Sequence, residues 1–208
     1  MSGHTILGLA LFVVWALLAG VGRMAVQRRR TGDSGFRFAA AARGTRQWWA
    51  NRISGAGSLL VGVAAPVADL LGLDPVVSPL SSPALRTAAA VVAASGIFCT
   101  YAAQLAMGTA WRIGVDPTER TELVTSGPFA FVRNPIFTTA LITFTGLALA
   151  SPNLVALAGL VLVYAGIQMQ VRAVEEPHLL ATHGRAYADY AARVGRFVPG
   201  IGRLRPTS

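Results

Sequence analysis

Long uncharged stretches constrain this chain more than any other feature. Residues 5 to 22, beginning TILGLALFVVWALLAG, carry no charge, and neither do residues 87 to 111 or the whole of 134 to 171. Crossing a bilayer takes about 20 predominantly apolar residues. The last stretch has room for two crossings, and Ser151-Pro152-Asn153 interrupts it where a turn is needed. A further candidate, GAGSLLVGVAAPVADLLGL at 55–73, holds Pro66 and has Asp69 near its end. The expected fold is all-α, a polytopic membrane helical bundle of about five spans at 5–22, 55–73, 85–108, 135–150 and 154–173, the fourth of them short. Composition agrees: 13% of residues are charged and the mean hydropathy is +0.53, where a soluble domain carries about 25% charge.

The net charge is +9, and all 18 basic residues are arginine. Such a charge first suggests nucleic acid, but its placement argues against that partner. Arg23, Arg28, Arg29, Arg30, Arg37, Arg43, Arg46 and Arg52 fall between spans one and two. Arg112, Arg120 and Arg133 fall between spans three and four, and Arg172, Arg185, Arg193, Arg196, Arg203 and Arg205 follow span five. The loops DPVVSPLSSPAL and SPN hold none. This alternation is the positive-inside pattern. It predicts an integral protein of a bacterial inner membrane, N-terminus outside and C-terminus cytoplasmic, in contact with membrane lipid. MSGHT lacks the basic region of a signal peptide, so the first span reads as a retained helix. Cys99, inside span three, excludes an intrachain disulfide and reads as a small apolar residue.

The chain reads as one membrane domain over 1–208. Residues 1–107 hold the first spans and a long basic loop, 23–54, in which Trp48 and Trp49 suit an interfacial belt. Residues 108–208 hold a polar segment, a tight helical hairpin and a tail. In the tail Leu180, His183, Tyr187, Tyr190 and Val194 recur at steps of three and four, which predicts an amphipathic helix on the membrane or folded against the bundle. Gly184 weakens it locally.

Two clusters carry polar chemistry. Arg133-Asn134-Pro135 opens span four, where Asn is a favoured N-cap and Pro a favoured first residue. A helix N-terminus beside a fixed cation also suits an anion, and Arg133 offers it a bidentate partner. Glu175 and Glu176 close span five, at the helix end that disfavours anions. Arg172, three and four residues earlier, is placed to offset them. Antiparallel packing of the hairpin sets 133–135 and 172–176 at one membrane depth, so the glutamates form either a solvated salt-bridged turn or a polar cluster facing Arg133-Asn134-Pro135 across the hairpin. Gln104 and Asp69 are polar within spans and therefore candidates for function; Asp69 lies near an end, where it is expected to reach water. No HExxH, CxxC, GxxxxGK[ST] or GxGxxG motif occurs, and His4, His178 and His183 have no metal-ligand spacing, so no metal is expected.

These residues resemble a known family. ELVTSGPFAFVRNPIF at 122–137 is similar to the LVTSGxYxxxRHPxY signature of the isoprenylcysteine carboxyl methyltransferase family of integral membrane enzymes. RAVEEPHLLATHGRAYADYAARVGRFVP at 172–199 is similar to its second block, EExxLxxxxGxxYxxY followed by proline. The resemblance covers roughly 108–200. It implies S-adenosylmethionine as cofactor at the cytoplasmic face and an amphiphilic small-molecule acceptor drawn from the bilayer. It places Leu123, Val124, Phe129, Asn134, Pro135, Ile136 and Phe137 on cofactor-contacting positions, with Thr121 and Glu122 where those contacts begin. Glu175 falls on the cofactor-binding glutamate, and Glu176 beside it joins the same set. Arg172 lies close to an arginine that orients the acceptor; Arg172 and Arg133 are the expected catalytic cations, each able to hold a carboxylate. Asn134 replaces the usual His, and Phe129 and Phe137 replace tyrosines, keeping aromatic faces without hydroxyls. Two alternatives stay open: an NADPH-dependent membrane reductase of the sterol-reductase type, similar in this hairpin, and a non-catalytic protein retaining the scaffold.

Overall fold

A computed structural model describes residues 2–37, 41–73, 80–116 and 118–204. Among these residues it is a helical membrane bundle. Four helices are long and apolar enough to cross a bilayer: α1 (Gly3–Thr31), α2 (Arg46–Leu71), α3 (Pro83–Ala106) and α5 (Leu154–His183). The shorter α4 (Pro135–Ala150) lies between α3 and α5, and α6 (Arg185–Arg193) follows. The five expected spans are all present, and three run longer than expected. α1 continues through Arg28–Arg30, α2 begins nine residues before Gly55, and α5 continues through Glu175 and Glu176. Most of the basic stretch 23–54 is therefore helix. Arginine is a good helix former, and its charge excludes it from the bilayer core without ending the helix. The loop expected on the opposite side falls partly at 74–79, outside the described residues, as does Arg205.

Local chemistry sets the helix limits. Thr45 and Ser82 accept hydrogen bonds from the amides of Trp48 and Leu85 and so start α2 and α3. Asn153 starts α5 by accepting from the Ala156 amide, while its own amide donates to the Ala65 carbonyl of α2. Pro66 and Pro177 lie inside α2 and α5 without breaking them. Each follows a widened helical turn, Leu60–Ala64 and Val171–Glu175. Such a turn shifts the bonding pattern where proline has no N–H to give.

Packing rests on small residues. α3 lies along α4 and α2 along α5, with α1 crossing both pairs. A Cβ added at Gly146 would stand 2.5 Å from the Ala93 nitrogen of α3, and one at Gly57 would stand 2.6 Å from the Gly159 oxygen of α5. Lipid supplies no hydrophobic drive between helices, so close backbone approach and dispersion hold them together. The core gathers Val61, Ala65, Phe144, Leu147, Val163, Ile167 and Val171. Phe98, Val91, Leu157 and Val161 point outward, as a lipid-facing surface requires. Cys99 is also exposed on that surface.

The end away from the arginine-rich loops holds a buried ion pair. Asp69 does not reach water. Its carboxylate lies 3.2 Å from Arg86 of α3 and accepts from Thr5 of α1 at 2.5 Å, and the Arg86 and Asp69 side chains are 1% and 3% exposed. Arg86 escapes a reading of charge by loops because it lies inside the third span.

Candidate functional site

The arginine-rich end of the bundle carries an open cleft and a polar hub. The cleft begins where α3 stops. Gly108 takes a positive φ of 61°, and the turn Gly108–Ala110 redirects the chain into Trp111, which is buried. Arg23 of α1 fixes this turn from beneath. It is fully buried, donates to the carbonyls of Gln104 and Gly108 at 3.3 and 2.6 Å, and stacks 4.4 Å from the Trp111 ring centroid. The Gln104 carbonyl is one of the four that an α-helix leaves without partners at its C-terminus, and the Gly108 carbonyl belongs to the turn that follows. From outside, Arg37 pairs with Asp33 and Glu119, and Glu119 also accepts from Arg112. Backbone hydrogen bonds tie Arg37 to Ile113 and Ile113 to Gly35. Stretch 33–37 is thus a strap over the segment that walls the cleft. The cleft measures about 520 Å³, and Arg112, Arg120 and Thr121, Glu122, Leu123 and Val124 line it.

The hub joins the two ends of the hairpin to the tail, as the antiparallel register predicts. Arg133 lies 2.7 Å from Glu176, with side chains 1% and 8% exposed. Glu176 also accepts two hydrogen bonds from Arg196, at 2.8 and 2.9 Å. Those bonds hold the Arg196 guanidinium above its ordinary pKa. The remaining Arg133 bonds go to the carbonyls of Ala191, Val194 and Gly202. Arg133 therefore spends its charge on Glu176 and its terminal nitrogens on Glu176 and the tail carbonyls, with Nε buried and without a partner among the described residues. Asn134 occupies the N-cap position of α4, but its side chain does not cap; the amide donates to the Arg196 carbonyl at 3.2 Å.

Gly184, at a φ of 52°, ends α5 and lets α6 fold back onto the bundle, so the amphipathic run is two helices. Tyr187 and Tyr190 are buried against Leu123, Leu179 and Val194. The Tyr190 hydroxyl donates to the Phe129 carbonyl at 2.6 Å, and burial pushes its pKa up to about 12. Leu123 thereby connects the cleft wall to the tail.

Glu175 behaves differently from its neighbour. It is half-buried, accepts one hydrogen bond from Gln170 at 3.1 Å, and makes no ion pair among the described residues. The Oε1 atom of Gln170 is buried without a partner. Arg172 is exposed and does not bridge to either glutamate; the widened turn Val171–Glu175 shifts its register relative to them, and Arg133 and Arg196 take Glu176 instead. Phe137 packs against the hydrophobic core, Phe129 is buried, and Pro135 and Ile136 form the first turn of α4. Of the candidate cofactor residues, Thr121 to Val124 line the cleft; the others belong to the hub or the turn beside it. Sequence reasoning missed Arg23, Gln170 and Arg196. Arg23 and Arg196 read there as positive-inside charges, and nothing local marks an arginine that is buried by tertiary contacts.

Residues 85–186 match the family model for phospholipid methyltransferase. This stretch runs from the third residue of α3 through the cleft and the hairpin to both glutamates. Over these residues the chain is similar to the phospholipid methyltransferase family. This is the group of membrane methyltransferases that the two sequence blocks resemble. A curated relative, the nickel-cobalt-cadmium resistance protein NccN of Alcaligenes xylosoxydans xylosoxydans, is 29% identical over 103 residues, 49% of this chain and 48% of that protein. The chain thus spans about half the length of that relative. The phospholipid methyltransferase match ends inside α6, so the tail turn that supplies Arg196 lies beyond it.

Proposed function

We propose that the protein transfers a methyl group from S-adenosylmethionine to the polar end of a lipophilic acceptor, at the cytoplasmic face of a bacterial inner membrane. The observation that carries this reading is the division between two adjacent carboxylates. Glu176 is saturated by Arg133 and Arg196, while Glu175 has one hydrogen bond, from a neutral amide, and no counter-ion among the described residues. A half-buried carboxylate in that state is costly to retain unless a ligand completes it. With the orphaned Gln170 oxygen beside it, it suits the hydroxyl and amino groups of the cofactor.

Residue roles follow. Glu175 accepts from the cofactor's ribose hydroxyls or amino group. Arg172, exposed and without an ion pair among the described residues, holds a carboxylate of cofactor or acceptor. Thr121, Glu122, Leu123 and Val124 wall the cleft, and Ile136 and Phe137 give the first turn of α4 its apolar face. Arg133, Asn134 and Glu176 act as positioning residues that fix the tail on the hairpin. When bound, the cofactor supplies an electrophilic methyl on a sulfonium. Transfer depends on alignment, which rigid span ends provide, more than on proton movement. Span ends also favour an acceptor whose apolar part remains in the bilayer.

The test is binding by the full chain in lipid nanodiscs. S-adenosylhomocysteine should raise the melting temperature and NADPH should not, and Glu175→Ala should abolish the shift while lowering the melting temperature of the unliganded protein by no more than about 4 °C. A shift from NADPH alone would install the reductase reading, and a shift retained by Glu175→Ala would remove Glu175 from the site. With acceptors of increasing chain length, apparent KM should fall, since each buried methylene contributes about 0.8 kcal/mol; turnover independent of length would end the lipid-phase reading.

A further inference from the structure

Beyond the hairpin, the tail ends in a tight turn whose surface does not suit water. The α3–α4 register fixes its depth. Thr100 and Thr139 hydrogen-bond at 3.0 Å, Gly96 packs on Thr143, and Gly146 packs on Ala93. These pairings set Pro135 level with Gln104, two residues and about 3 Å short of the end of α3. α3 has 24 residues, about 36 Å of helix against a hydrocarbon core of about 30 Å. Pro135 therefore stands at the hydrocarbon boundary, and what precedes it lies at headgroup level.

The tail turn is tied to that level. The amides of Arg133 and Asn134 donate to the carbonyls of Gly195 and Arg196, and the Arg196 amide donates to Ile201. Gly195 allows the fold: a Cβ there would lie 2.1 Å from the Val198 oxygen. Phe131, Val198 and Ile201 are left 71%, 50% and 66% exposed. Arg193 and Arg203 flank them, exposed and without an ion pair among the described residues. Apolar tips beside free guanidiniums at this depth match the side chains that enter an anionic membrane surface.

We propose that the turn 195–204 is a seat for anionic phospholipid, with Val198, Ile201 and Phe131 among the upper acyl chains and Arg193 and Arg203 on headgroup phosphates. The seat bears on the hub. Gly202 accepts from Arg133, and Arg196 lies on the same turn and grips Glu176. Lipid that holds the turn in place also holds the hub closed. The proposal does not depend on the methyltransferase reading.

The test is amide hydrogen exchange of the full chain in nanodiscs of phosphatidylcholine, and of phosphatidylcholine mixed equally with phosphatidylglycerol. Exchange at Arg196, Ile201 and Leu204 should slow at least about fivefold in the anionic discs, the effect of one surface arginine. The double variant Arg193→Gln/Arg203→Gln should lose that difference while its exchange in phosphatidylcholine stays as in the wild type. Equal exchange in the two lipids overturns the proposal, and so does slowing by inorganic phosphate in phosphatidylcholine discs. In a Cys99→Ala background, a fluorophore on Ile201→Cys should be quenched by lipids brominated in the upper chain, and one on Arg30→Cys should not. Quenching no stronger at position 201 than at position 30 overturns the placement of the turn in lipid.

Discussion

Replacing Glu176 and Glu175 one at a time should give opposite phenotypes, although the two residues are adjacent. Glu176→Ala removes the carboxylate from Arg133, whose side chain is 1% exposed, and from Arg196, 13% exposed. Removing one partner of a buried pair costs about 3–5 kcal/mol, because the remaining charge is uncompensated. Arg133 keeps three carbonyl acceptors and Arg196 reaches solvent, so the lower end, about 3 kcal/mol, is expected. Glu176→Gln keeps the volume and one acceptor oxygen and should cost about 2 kcal/mol, within the range for a hydrogen bond to a charged group. Glu175→Ala loses one hydrogen bond from the Gln170 amide but also removes a carboxylate without an ion pair among the described residues, so it should cost about 1 kcal/mol or less. The assay is reversible unfolding in mixed micelles titrated with sodium dodecyl sulfate, with binding of S-adenosylhomocysteine followed in parallel. Glu176→Ala should unfold earliest, and Glu175→Ala should remain stable but lose the ligand. Equal stability of the two alanine variants would refute the division of labour between the carboxylates.

Three further outcomes are expected. Tyr190 has its pKa raised to about 12 from an ordinary value of about 10, so the stability it lends is whole below about pH 10 and is lost as pH climbs through 12; Tyr190→Phe should remove an absorbance step at 295 nm near pH 12 and flatten alkaline unfolding. Gly146→Val should force α3 and α4 apart, since even a Cβ would meet the Ala93 nitrogen at 2.5 Å, at a cost of at least about 1–3 kcal/mol, whereas Gly55→Ala, with nothing within 4 Å of its added Cβ, should unfold no earlier than the wild type. In a Cys99→Ala background, Ser81→Cys should react with a membrane-impermeant maleimide in intact cells and Ser126→Cys only after permeabilisation; the reverse would invert the orientation.

The spans were legible because exclusion of charge from hydrocarbon is a property of each residue and its neighbours in sequence. Helix ends were less legible: α1 and α5 run past the last apolar residue because arginine and glutamate end a membrane crossing but not a helix. The meeting of Arg133 with Glu176 was also legible, since an antiparallel hairpin of known length fixes which residues share a depth. The assignment of partners was not. Local spacing pairs Arg172 with the glutamates, yet a widened turn and the returning tail give Glu176 to Arg133 and to Arg196, twenty residues on, and leave Glu175 with no ion pair among the described residues. Likewise Arg23 reads as a loop charge but lies fully buried beneath Trp111, and Asp69 reads as reaching water but is sealed by Arg86 and Thr5. The sequence alone thus determined which segments enter the membrane and which residues arrive at its basic face. Only the tertiary structure decided which of those charges neutralise one another and which have no ion pair among the described residues, because pairing depends on distances between helices that no local pattern encodes.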